Sequence, residues 1–259
     1  MPHQTPPLAE HSILSLVQNH MLDVSLAALL WALAARRGSL VVAAPPQRAG
    51  KTTLLHAVLD LQPRDTRVVV ARGADEDYAF LAEADPATTT ILVPEFSDHL
   101  AEYTWGDRVP PVFDAMGRGF AMGATMHAAS AEEVLEQLAE PPNGVSPRKL
   151  GGLHAIVTIA VWSDGLELVR RVHIVCVVGP TIPRRGLPRC QPVVWWEQER
   201  DAWHVDRGAA LLGARFGLDG DAWERELAWR RGVLRRLLDR GIVEPRLVRQ
   251  EAWRARPPG

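Results

Sequence analysis

Lysine is almost missing from this chain. Of its 29 basic residues only Lys51 and Lys149 are lysines, so a position that keeps lysine in an arginine-dominated composition is informative. Cysteine is equally scarce: Cys176 and Cys190 are too few for a disulfide framework, and no C-x-x-C pair suggests zinc. Both points fit a reducing cytoplasm. Long apolar runs are lacking too. The longest, residues 26–35 (LAALLWALAA), is about half of the roughly 20 residues a membrane span needs, and it reads as a buried helix. The N-terminus MPHQTPPLAEHS has no basic start followed by an apolar core, so no signal peptide is expected. A net charge of −2 gives no overall pull toward nucleic acid or anionic lipid. No nucleic-acid partner is expected, and membrane association only peripherally through a partner. The charges are nevertheless unevenly placed: residues 72–107 hold nine acids against Arg72 alone, and residues 221–259 hold ten arginines against six acids.

What is present starts at Lys51. It lies in Ala44-Pro45-Pro46-Gln47-Arg48-Ala49-Gly50-Lys51-Thr52-Thr53, which matches the phosphate-binding loop GxxxxGK[ST] except for Pro45 in place of the first glycine. A slim ammonium can lie along such a loop and reach the β- and γ-phosphates, which a forked guanidinium does less well. The context has the required order. Ser39-Leu40-Val41-Val42-Ala43 suits a buried parallel strand, and TTLLHAVLD, residues 52–60, has apolar residues at helical spacing. The candidate cofactor-binding residues are Pro46, Gln47, Arg48, Ala49, Gly50, Lys51, Thr52 and Thr53. Backbone N–H groups and the helix N-terminus would surround the phosphates, and the Thr52 hydroxyl would ligate Mg²⁺. Pro45 offers no N–H and cannot adopt positive φ, so the loop entry is expected to be stiffened.

With 259 residues and 47% hydrophobic content the chain can bury a substantial core, as one large α/β domain or one domain with an appendage. Residues 9–36 read as two short helices, the second capped by Asp23 or Ser25. Further strands are expected at 67–71, at 89–93 followed by Pro94-Glu95, and at 120–125 ending at Met126-His127. Ser130 and Glu133 are spaced as a capping box opening a helix over 130–138. Three strands thus end in polar or acidic residues beside the loop, where open α/β sheets bind ligands. Beyond them, 155–161 and 166–178 suggest an antiparallel pair joined by Trp162-Ser163-Asp164-Gly165. TIPRRGLPRCQ, residues 181–191, reads as an exposed connection, 193–196 and 202–205 as a small hairpin. The tail from Arg207 is helical in pattern, with Trp223, Leu227, Leu234 and Leu238 on one face.

This order of elements resembles the ATPases of type II and type IV secretion and type IV pilus assembly. The approach from HSILSLVQNH through AGKTTLLHAVL looks like that family's linker helices, first strand and phosphate loop. RVVVARGADED stands where its acidic box lies, with Asp75 and Glu76, and ILVPEFSD stands at its Walker B segment, with Pro94-Glu95 where Gly-Glu is usual. GATMHAASAEEVLEQL looks like its histidine box. The resemblance covers roughly residues 10–180 and implies a RecA-like P-loop core: a mainly parallel sheet, a peripheral antiparallel hairpin and a helical C-terminal tail. It divides the chain into a linker (1–37), a nucleotide-binding core (38–180) and an appendage (181–259). It further implies ATP and Mg²⁺ as cofactors and catalytic roles for two residues: Glu95 positioning or activating water, and His127 sensing the γ-phosphate or supporting the carboxylate. A homo-oligomeric ring, a hexamer in this family, would work in the cytoplasm at the inner face of a membrane with a secretion or pilus platform protein.

Departures accompany the matches. Only residues 1–38 precede the first strand where the family carries a covering domain, whose expected source is then a separate chain. The segment before the histidine box reads Gly117-Arg118-Gly119, and Arg108 and Arg118 are candidates for charge-stabilising fingers across a subunit boundary. The expected function is an ATP-hydrolysing motor subunit. The alternative is a nucleotide-binding regulatory or structural subunit with weak or no hydrolysis, and a small-molecule kinase ranks third because nothing resembles an acceptor lid.

Overall fold

A computed structural model describes residues 9–45, 47–165, 167–179 and 186–256. Pro46 and most of the Pro/Arg-rich connection lie outside the described residues. Two capped helices open the fold. Ser12 accepts from the Ser15 N–H at the start of α1 (Ile13–Gln18), and Asp23, rather than Ser25, accepts from the Leu26 N–H at the start of α2 (Val24–Ala35). Every residue of α2 from Leu26 to Ala34 is buried, which explains why its sequence is apolar all round. Among the described residues no helix is long and apolar enough to cross a membrane.

The apolar run that follows forms β1 (Leu40–Ala43), and the helix after the loop is α3 (Lys51–Leu59). Next come β2 (Arg67–Val70), β3 (Thr89–Phe96), α4 (Val109–Gly117), β4 (Ala121–Met126), α5 (Ala131–Ala139) and α6 (Pro147–Leu150). Helix α4 has no counterpart among the sequence expectations. Pro110 and Pro111 look like breakers, but in the first turn the missing N–H groups would have had no helical partner anyway.

The chain then turns antiparallel with β5 (Ala155–Asp164) and β6 (Glu167–Val178), continues with β7 (Cys190–Glu197) and β8 (Ala202–Val205), and closes with α7 (Ala210–Arg215), α8 (Gly220–Asp239) and α9 (Pro245–Arg254). The eight strands among the described residues form one sheet in the order β2-β3-β4-β1-β5-β6-β7-β8. The first five run parallel, and β5 to β8 are antiparallel. Two expectations are corrected here. Trp162, Ser163 and Asp164 belong to β5, paired with Val169, Leu168 and Glu167, so the connecting turn is tighter than four residues. Strand β3 runs past Val93 to Phe96, carrying Pro94 and Glu95 inside it.

Side chains leave the sheet alternately, as the pleat requires. Leu40 and Val42 face one apolar core with α1, α2, α3 and α8, and Val41 and Ala43 face the other with α4, α5 and α6. The tail is bound into the first core: Trp223, Leu227 and Leu234 of α8 are buried there and Leu238 partly so, each fully buried side chain worth about 1.5–3 kcal/mol. Val193 and Val194 of β7 lie in the same core.

Candidate functional site

The sharp connection from β1 to α3 is made by unusual backbone. Arg48 sits at φ 59° and Gly50 at φ 89°, the latter as the N-cap of α3. Glycine adopts this conformation without penalty, whereas arginine does so only when held. A Cβ at Gly50 would also lie 3.3 Å from Met21 Cε. No side chain caps the N-terminus of α3, so its first N–H groups remain as donors for an anion. Gln47, Arg48, Ala49, Gly50, Lys51, Thr52 and Thr53 all line an open cleft of about 1230 Å³. Thr52 is exposed in the first helical turn, and Thr53 is half-buried.

Glu95 and His127 line the same cleft, and both meet Lys51. The Lys51 ammonium, only 6% exposed, is 3.8 Å from Glu95 Oε2 and 3.3 Å from His127 Nε2. Burial pushes the ammonium's pKa down, and the facing Glu95 carboxylate opposes that. Glu95 Oε1 is in turn 3.2 Å from His127 Nε2. The other ring nitrogen, Nδ1, is 3.0 Å from the Pro45 carbonyl. A carbonyl only accepts, so Nδ1 carries a proton, and Nε2 has two alternatives. It accepts from the Lys51 ammonium when the ring is neutral, and donates to Glu95 when the ring is charged.

The sheet places these groups. Pairing of β3 with β4 shifts register between Val93 and Phe96, and Pro94, which has no N–H to give a ladder, falls within that irregularity. The Thr125 hydroxyl donates to the Pro94 carbonyl at 2.6 Å and lies 3.5 Å from Glu95 Oε2. His127 follows the end of β4, its carbonyl accepting from Gln137 Nε2 of α5. The strand bearing Lys51's loop thus has β4 beside it and β3 one place further on, the RecA arrangement. The fold is RecA-like.

Other sequence candidates lie elsewhere in this RecA-like core. Glu76 is fully buried and accepts from the Arg72 and Tyr78 N–H groups, a structural role. Asp75 is exposed and does not line the cleft. Arg108 donates to the Glu76 carbonyl and Arg118 to the Leu81 carbonyl, so both guanidiniums are engaged within their own subunit. Sequence reasoning missed the opposite wall, where Asn19, His20 and Met21 face Leu168, Val169 and Arg170 of β6. Its one signal was an adjacent arginine pair, Arg170-Arg171, inside a mainly apolar strand.

No protein-family model and no curated protein matches the sequence. Solved structures similar to the RecA-like core include the VirB11 ATPase of the Brucella suis type IV secretion system in complex with sulphate, at 17% identity and a TM-score of 0.42 over 67% of this chain and 65% of that one. The DotB ATPase of Legionella pneumophila is similar at 13% identity and a TM-score of 0.37, over 91% and 59% of the two chains. That of Yersinia pseudotuberculosis follows at 12% and 0.37, over 88% and 60%. The chain therefore spans about 60–65% of these proteins' lengths. At these identities the likeness is one of fold.

Proposed function

We propose that the cleft binds ATP with Mg²⁺ and hydrolyses it, the chain serving as a motor subunit for protein secretion or pilus assembly. The supporting observation is convergence: a buried ammonium, a carboxylate and an imidazole from the ends of three different elements meet at the mouth of a loop with an uncapped helix start. The residues fit the ligand. Lys51 is an ammonium held in a low-dielectric site by a counter-charge, ready to exchange it for phosphate, and the Gly50 cradle admits close backbone approach. Thr52 would hold the metal, which when bound supplies neutralisation of phosphate charge.

The chain's own groups have distinct tasks. Lys51 Nζ binds the phosphate chain, and its departure leaves Glu95 Oε2 without its ammonium partner, able to orient water and accept its proton. Thr125 holds the Pro94 carbonyl and so fixes the peptide that carries Glu95. His127, anchored through Nδ1 to Pro45, ties the carboxylate to the loop through Nε2 and reports which of the two partners is present. The motor would act as a cytoplasmic homo-oligomeric ring, a hexamer, at the inner face of a membrane against a platform protein. One feature favours the second reading, a nucleotide-binding regulatory subunit: Pro45 occupies the place of the loop's first glycine.

ATP turnover with Mg²⁺ by the purified chain, with and without candidate partners, decides between them. Lys51→Ala is expected to abolish binding, and Glu95→Gln to keep binding while cutting turnover by about 10²-fold or more. Binding abolished by Lys51→Ala without turnover under any condition would sink the motor and leave the regulator.

A further inference from the structure

We propose that Arg170 is a positioning residue that holds the phosphate loop in its ligand-accepting shape by donating its Nε–H to the Arg48 carbonyl. The proposal rests on the cleft being a nucleotide site, and it concerns a residue outside every P-loop motif. The hydrogen bond measures 3.0 Å and joins residues 122 positions apart. Arg48 is the residue of the loop that takes a left-handed backbone without being glycine. Its peptide therefore needs an outside partner, and the donor is Arg170. A carbonyl tied to a cationic donor is not free to swing into the loop, where its negative end would oppose phosphate. The stem of the same side chain supports the next turn, with Arg170 Cδ 3.5 Å from where a Cβ on Gly50 would stand.

The loop is consequently strapped at two carbonyls, one by the residue that follows β4 and one by β6. His127 Nδ1–H holds Pro45, and Arg170 Nε–H holds Arg48. Together they restrain the loop from outside its own backbone.

The strap has a rigid base. Strand β6 pairs with β7 only from Ile174 onward, so the part bearing Arg170 is a two-stranded ribbon with β5. Three contacts brace that ribbon from the β7–β8 side. Arg171 forks onto Asp201 at 2.7 and 2.8 Å; the Trp203 indole donates to the Val172 carbonyl at 2.7 Å; and Trp162 stacks on Trp196 at 5.0 Å. On the near side, the Val172 N–H donates to the Met21 carbonyl at 2.8 Å, tying the ribbon to the turn before α2.

Three variants of the full chain separate positioning from charge. A glutamine side chain carries its amide nitrogen the same number of bonds from the backbone as the arginine Nε, so Arg170→Gln keeps the donor and removes the charge. Arg170→Met keeps the stem and removes both, and Arg170→Lys keeps the charge but moves the donor one bond outward. Calorimetric titration with ADP and Mg²⁺ is expected to show affinity lowered about tenfold in Arg170→Met and within about twofold of wild type in Arg170→Gln, with Arg170→Lys intermediate. Independently, trypsin cleavage after Arg48 without nucleotide, followed by mass spectrometry, is expected to quicken about fivefold in Arg170→Met and not in Arg170→Gln. An Arg170→Gln variant as damaged as Arg170→Met would overturn positioning in favour of a charge effect, and an Arg170→Met variant unchanged in both readouts would overturn the proposal outright. A wild type that binds no nucleotide, with Arg48 still cut faster in Arg170→Met, would sink the nucleotide reading and leave the strap standing.

Discussion

Outside the cleft, His154 carries a pH dependence. The His154 ring is stacked on Phe216 at 4.9 Å and accepts the Ser39 N–H on Nδ1 at 3.1 Å. Burial first, and the neighbouring Arg215 second, push its pKa from 6.5 down to about 4. As the pH falls through 6.5 the unfolded chain takes up a proton that the folded chain does not accept until about pH 4. Stability is therefore unaffected by His154 above that window, declines across it and levels off below it, by on the order of 3 kcal/mol in all. Urea unfolding between pH 7 and 4.5 is expected to show this share of the decline in the wild type and not in His154→Asn, whose amide oxygen stands where Nδ1 does and can still accept from Ser39. Identical pH slopes would remove His154 from the account. Residues of this kind differ in how legible they are from sequence. Lys51 and Thr52 could be read because strand, loop and helix are contiguous, and Glu95 because an acid ends an apolar run. Arg170 was not, because its partner lies 122 positions away along the chain.

Among the elements, α9 is the least expected structural member. Its Arg249 pairs with Asp60 at the end of α3, and its Trp253 indole donates to the Gln62 carbonyl at 2.8 Å. The arginine-rich tail, read from the sequence as helical in pattern, thus reaches back to the helix that begins with Lys51. Burial pushes the Asp60 carboxyl up in pKa while Arg249 pulls it down, so the aspartate depends on its partner. Arg249→Met is expected to cost about 2 kcal/mol in denaturant unfolding, and adding Asp60→Asn to recover most of it, since a neutral amide tolerates burial without a cation. If the double variant is no more stable than Arg249→Met alone, the pair's worth is packing, not charge. The elements hardest to read were those where local chemistry misleads. The prolines of α4 suggest a break where they start a helix, and Pro94 suggests a strand end where it marks only an irregularity within β3.

For the whole molecule, the sheet and its two cores make a definite thermodynamic claim. Because β7 extends the same sheet and α8 shares a core with α2 and α3, residues 181–259 should not melt apart from the nucleotide-binding part. Thermal unfolding followed by far-ultraviolet dichroism and by tryptophan fluorescence is expected to give coincident single transitions. Nucleotide at one hundred times its Kd should add about 2.7 kcal/mol to both together. Two separated transitions, with only one moved by nucleotide, would show the tail as a unit of its own.

The central position of β1 also has a consequence for how the protein is made. Of the described strands it is made first, yet it has no partner nearby in the chain: it lies between β4, which begins at Ala121, and β5, which begins at Ala155. A nascent chain that already carries the phosphate loop therefore has nothing to hold that loop, and the ordering entropy is offset only when these distant strands arrive. Ligand binding should appear abruptly as the growing chain passes β6, and until then the exposed apolar strand is a natural client for a chaperone.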